Sequence, residues 1–96
     1  MKPEFKYKIH ECLEELSMKN YKIATKNMPS MIKKSMNTFW NYANIKFDDK
    51  KTDIPYCTVL HLEILFGLEH GKLLNAPVEA KSLAEIRNEI LETSKI

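Results

Sequence analysis

The chain has 96 residues, 44% of them hydrophobic and 29% charged, with a formal net charge of +2. That is one domain with a modest core, and its balance excludes global disorder. No apolar run nears the roughly 18 residues of a membrane span, and the charged start "MKPEFKYKIH" has no signal-peptide core, so a cytoplasmic protein with no membrane partner is expected.

Cys12 and Cys57 are too few for a disulfide framework and are expected to stay reduced. The charge is unevenly placed. Residues 1–18 carry −1 and residues 52–96 carry −3, whereas residues 19–51 hold eight Lys and two Asp and carry +6. A segment of that sign concentrates polyanions around itself.

Only two glycines occur, and apolar spacing of three and four dominates, which predicts an all-α chain. The first helix is expected over about residues 3–16, with Phe5, Ile9, Cys12, Leu13 and Leu16 as its stripe and Glu11, Glu14 and Glu15 off it. A second begins near Asn20 and carries Tyr21, Ile23 and Ala24. Pro29 is expected to interrupt it at Met28, because proline lacks a donor and disfavours the α conformation before it, with a short turn over residues 30–33 following.

Ser35 then reads as an N-cap whose hydroxyl reaches the amides of Asn37 or Thr38. From Ser35 a helix of about ten residues is predicted. At about 100° per residue, Met36, Phe39 and Ala43 fall on one face. Asn37, Thr38, Asn41 and Asn44 fall on the opposite one, with Trp40 and Tyr42 on the flanks. "KFDDKKTD" is a polar loop. The fourth helix has Pro55 in its first turn and Gly67 past its end, the asymmetry that helices prefer. Val59, Leu60, Ile64, Leu65 and Phe66 are its expected core, and "LEHGKLLN" packs Leu73 and Leu74 beneath it. After Pro77 a last helix spans about residues 79–93. Its narrow stripe of Leu83, Ile86 and Ile90 either docks on the body or pairs with a second copy as a homodimer. The division is thus a helical domain over 1–76 and a C-terminal extension over 77–96.

Little in this pattern points to catalysis or to a cofactor. There is no glycine-rich phosphate loop or nucleophile elbow, and no Ser or Cys has an evident base partner. Cys57 and His61 are four apart on one helix, but His10 and Cys12 point away from each other, and the set fits no zinc spacing. Met28, Met31 and Met36 could form an adaptable protein-binding groove, but Met31, Ile32 and Met36 read instead as core filling behind the third helix.

The amide stripe is the informative feature. Asparagine can bond bidentately to adenine, threonine can bond a base or touch a thymine methyl, and lysine serves phosphate. A short helix carrying such residues, braced by a preceding helix, is how a helix-turn-helix enters the major groove.

The stretch "YKIATKNMPSMIKKSMNTFWNYANIK", followed by "DIPY" and "LFGLEHGKLLN", resembles the lambda-repressor/Cro-type helix-turn-helix domain over roughly residues 5–75. Ser35, Met36, Asn37 and Thr38 stand where that family opens its recognition helix. Phe66, Gly67 and Leu73 match a later motif. Where the family carries a glycine and an aliphatic residue ahead of the cap, this chain has Lys33 and Lys34, and Pro29 intrudes in the supporting helix.

The resemblance implies a compact four- to five-helix bundle, here with an added C-terminal helix, that binds double-stranded DNA as a small prokaryotic or phage regulator. Asn37, Thr38 and Asn41 would contact bases. Lys33, Lys34, Ser35, Asn44, Lys46, Lys50 and Lys51 would contact the backbone, with Trp40 or Tyr42 against sugar or a thymine methyl. The alternative is a protein-interaction adaptor that keeps the fold without DNA. The absence of arginine from residues 19–51 favours it, since arginine is the commonest reader of guanine.

Overall fold

Residues 4–8 lie between two later parts of the chain and bridge to them at Phe5 and Tyr7, where the sequence predicts helix. Lys6 N donates to Ile45 O at 2.9 Å and Phe47 N to Glu4 O at 3.1 Å, which closes one antiparallel bridge. On the other side, Lys8 N donates to Leu73 O at 2.7 Å and Asn75 N to Lys6 O at 3.0 Å. The cause is visible in "FKYKI": Phe5, Tyr7 and Ile9 alternate with Lys6 and Lys8, the period of a strand. The first helix therefore starts only at Ile9.

The computed structural model describes residues 3–76 and 80–93. Five helices follow in order: α1 (Ile9–Glu14), α2 (Met18–Met31), α3 (Met36–Ala43), α4 (Tyr56–Phe66) and α5 (Leu83–Thr93). The chain is all-α, a small helical bundle with a C-terminal helix added. Among the described residues no helix is long and apolar enough to cross a membrane.

Ser17 starts α2, its hydroxyl accepting from Asn20 N at 3.2 Å. The helix then passes through Pro29 without a break, contrary to the interruption expected there. Pro29 lies only two residues from the last helical position, so it removes one intrahelical bond near an end where few remain. It is also buried, and its ring contributes to packing. In the turns before it, Asn27 Nδ2 donates to Ile23 O at 2.8 Å, and Ser30 Oγ donates back to Asn27 O at 2.9 Å.

The core is built from Tyr7, Ile9, Leu13, Met28, Ile32, Phe39, Ala43, Ile45, Ile54, Leu62 and Leu73. α2 packs on both α1 and α3. Leu73 is fully buried and Leu74 is bridged to Tyr7, so the 68–76 segment does lie against the body.

In α4 the expected core line is displaced. Leu62 and Glu63 are the buried residues, Val59, Leu60, Leu65 and Phe66 are half-buried, and Ile64 is 70% exposed. Six of its residues from 59 to 66 are apolar and surround the helix, so tertiary packing alone chooses the face. α5 is shorter than predicted; Ser82 caps it, with Glu85 N donating to Ser82 Oγ at 3.2 Å. Residue 79, where that helix was expected to begin, lies outside the described residues. Leu83, Ile86 and Ile90 are all on the exposed surface.

Candidate nucleic-acid interface

Local chemistry places α3. Ser35 sits in an extended conformation ahead of it, and its hydroxyl accepts from Thr38 N at 3.1 Å. The same hydroxyl donates to Thr38 Oγ1 at 2.9 Å. Phe39 and Ala43, four residues apart, are fully buried and fix the rotation of the helix. Asn37, Asn41 and Asn44 therefore face outward, and Thr38 is half-buried beside them. Met36 does not join the buried face as expected. It is 46% exposed at the first turn, where the helix reaches beyond the core.

Among the expected base-contacting residues, Asn37 and Asn41 keep their amides free of partners among the described residues. Thr38 is the N-cap's partner. Of the expected flanking residues, Asn44 is engaged, because His10 Nε2 donates to Asn44 Oδ1 at 2.7 Å. Trp40 is half-buried, its ring edge-on to Phe39 at 5.3 Å and 5.9 Å from His10. His10 in turn lies 4.6 Å from Phe5. Trp40 thus locks α3 onto α1, and Tyr42 packs against the core.

The turn joining α2 to α3 has an unusual backbone. Lys33 adopts φ 58°, the left-handed region, and it is the one non-glycine residue to do so among the described residues. Lys33 N donates to Ser30 O at 3.0 Å and Lys34 N to Pro29 O at 2.9 Å. Those two bonds satisfy carbonyls that the end of α2 would otherwise leave open. Lys33 is exposed and Lys34 half-buried, at the head of the amide face.

Lys46, Lys50 and Lys51 belong to a separate loop. Lys46 pairs with Glu4 Oε1 at 3.3 Å and lies over the Phe5 ring at 4.8 Å. The loop is organised around Lys6, whose Nζ donates to the carbonyls of Asp49 at 2.8 Å and Thr52 at 2.9 Å and pairs with Asp53 Oδ1 at 2.6 Å. Asp49 Oδ1 accepts from Lys51 N and Thr52 N, at 2.9 and 3.0 Å. The Lys51 amide first, then the Thr52 hydroxyl and amide, hold the Asp49 carboxyl below its ordinary value. Lys50 and Lys51 remain exposed.

Sequence reasoning passed over three further lysines. Lys19, Lys22 and Lys26 are exposed on α2 at spacings of three and four, so they share one side of the helix. Lys19 joins that row because α2 starts at Met18 rather than near Asn20. No group of three or more His, Cys, Asp or Glu stands ready for a metal among the described residues. Burial first, then Glu15 and Glu11, push the Cys12 thiol up, which makes it a poor nucleophile.

No protein-family model, no curated protein and no solved structure matches this chain.

Proposed function

We propose that this chain is a small cytoplasmic regulator that binds double-stranded DNA sequence-specifically, in the manner of the lambda-repressor/Cro type, and acts by binding rather than by catalysis. The observation that carries the reading is α3 itself: a Ser35-capped helix, buried through Phe39 and Ala43, that presents the unpartnered amides of Asn37 and Asn41. Asn37 and Asn41 read base edges, with Thr38 beside them. Lys33 and Lys34 hold phosphates at the head of the helix, and Lys50 and Lys51 reach the flanking backbone. Support also comes from the turn, since the position that the family fills with glycine has the backbone conformation that glycine favours. Two copies joined through Leu83, Ile86 and Ile90 would present two recognition helices to a two-fold site.

The test is selection from random duplexes followed by two variants. Asn41→Ala lowers affinity for the selected site by about 1–3 kcal/mol and leaves random duplex nearly unchanged, because it removes a directional bond to a base. Replacing Lys33 and Lys34 with Ala weakens both kinds of duplex and reduces the salt dependence by about one to two units of slope, because it removes screened charge. Selection without a preferred site, with binding indifferent to both changes, rejects the assignment.

A second reading has its own observation. The sole arginine, Arg87, lies on α5 rather than near α3, and Leu83 beside it is 82% exposed. An adaptor that holds a protein partner through α5 would leave every duplex unretarded at low salt.

A further inference from the structure

A cavity of about 630 Å³ lies between α4, the N-terminal segment and residues 70–76. Ile54, Val59, Leu60 and Leu74 give it an apolar wall, within the size range of small-molecule sites. Glu63 is set into that wall with its side chain 2% exposed. One carboxylate oxygen is satisfied, Oε2 accepting from Leu73 N at 3.1 Å. The other, Oε1, is buried and has no hydrogen-bond partner.

The charges around the cavity leave that oxygen unanswered. Lys6 lines the cavity but is committed to Asp53 and two carbonyls. His70 Nδ1 is 3.9 Å from Oε1, too far for a hydrogen bond, and the His70 side chain is 81% exposed and able to swing away. A buried carboxylate lacking a donor is costly, and a charge-assisted bond from an ammonium is what would offset it.

We infer that this cavity binds a small amphipathic cation, a primary amine whose ammonium donates to Glu63 Oε1 while its apolar body lies against Val59, Leu60 and Leu74. A neutral apolar ligand would fill the space and leave the oxygen bare. An anion would meet Glu63 with no uncommitted lysine to hold it. His70 is the movable rim. One nitrogen at about 2.8–3.0 Å from each of Oε1 and Nδ1 spans the gap between them.

The full chain is titrated with benzylamine and, separately, with benzyl alcohol, which has the same ring and no charge, while the backbone amide resonances are followed. Benzylamine is expected to shift the amides of Leu60, Glu63 and Leu73 saturably and to bind about tenfold or more tightly than the alcohol. Glu63→Gln keeps an acceptor for Leu73 N and removes the charge, so it abolishes the preference for the amine. If that variant fails to fold, the amine–alcohol comparison on the native chain decides alone. Equal affinity for the two compounds, no saturable shift at these amides, or a preference that survives in folded Glu63→Gln overturns the assignment. Duplex DNA enters neither titration, so the outcome is separate from that of the regulator reading.

Discussion

At the end of α4 the chain reverses on Gly67 with φ 71°, and at the end of α2 it makes the same turn on Lys33 with φ 58°. The hydrogen bonds match as well. Gly67 N reaches Ile64 O at 3.1 Å and Leu68 N reaches Glu63 O at 2.8 Å, the counterparts of the Lys33 and Lys34 bonds to Ser30 and Pro29. Glycine makes this turn freely, whereas a residue with a Cβ gives up roughly 1–2 kcal/mol there. The α4 turn therefore answers to geometry alone. At the α2 turn a charged side chain is kept at the expense of geometry, directly ahead of the helix that carries the exposed amides. A strained residue beside a surface of that kind is grounds for assigning the surface a task, which is the direction this inference runs.

The largest effect that tests the contrast lies behind the two turns. Phe39, beyond the Lys33 turn, is fully buried, while Phe66, before the Gly67 turn, is half-buried. Phe39→Ala is expected to cost about 3–5 kcal/mol in chemical denaturation, and Phe66→Ala clearly less. Equal losses would mean that the α2–α3 pair is no more central to the fold than the end of α4.

Exchanging the turn residues tests the contrast directly. Nothing lies within 4 Å of a Cβ built on Gly67, so Gly67→Ala suffers only the backbone penalty, about 1–2 kcal/mol. Lys33→Gly is expected to go the other way and stabilise by about 0.5–1 kcal/mol, since the relieved strain exceeds the added freedom of the unfolded chain. The same change should weaken DNA binding. A Lys33→Gly chain that is more stable and binds duplex undiminished would strip the lysine of any functional reason for its place.

The beginnings of the two helices differ in a smaller way. Ser17 caps α2 and does not titrate, whereas α4 has no side-chain cap and its approach is held by Ile54 N donating to the Tyr7 hydroxyl at 3.1 Å. Burial, offset by that amide and reinforced by the Asp53 charge, pushes the Tyr7 phenol above its ordinary value of 10.0. The native state then keeps a proton that the unfolded chain releases. This share of stability is complete below about pH 10 and declines as pH rises through the native pKa. Denaturation midpoints measured across that range should fall as the pH rises.

The features legible in the sequence were those decided locally. Ser35 as a cap, Phe39 and Ala43 as the buried pair, the outward amides of Asn37 and Asn41, and Gly67 at the end of α4 all follow from spacing and propensity within one turn or two. Features that depend on remote partners were not legible. Phe5, Ile9 and Cys12 fit a helical stripe as well as Phe5, Tyr7 and Ile9 fit a strand, and only Ile45 and Leu73 break the tie. Leu62 rather than Ile64 is buried because a helix apolar on every side has no preferred face of its own. At the interface, His10 takes Asn44 and stacks near Trp40, a capture across 34 positions that no local pattern announces. Glu63 did leave a trace, as the lone acid within "VLHLEILF".

The segment over residues 4–8 has a consequence for the order of folding. Its neighbours on one side are residues 45–47 and on the other residues 73–75, with Asn75 Nδ2 donating to Phe5 O across 70 positions. The α2–α3 pair can form as soon as it is synthesised, because its contacts are close in sequence. To be paired on both sides, residues 4–8 must wait for the strand-like partner made last, and the closure of so long a loop comes late and slowly. During translation Phe5 can meet residues 45–47 first, whereas Tyr7, bridged to Leu74, gains its second neighbour only once residues 73–75 are made.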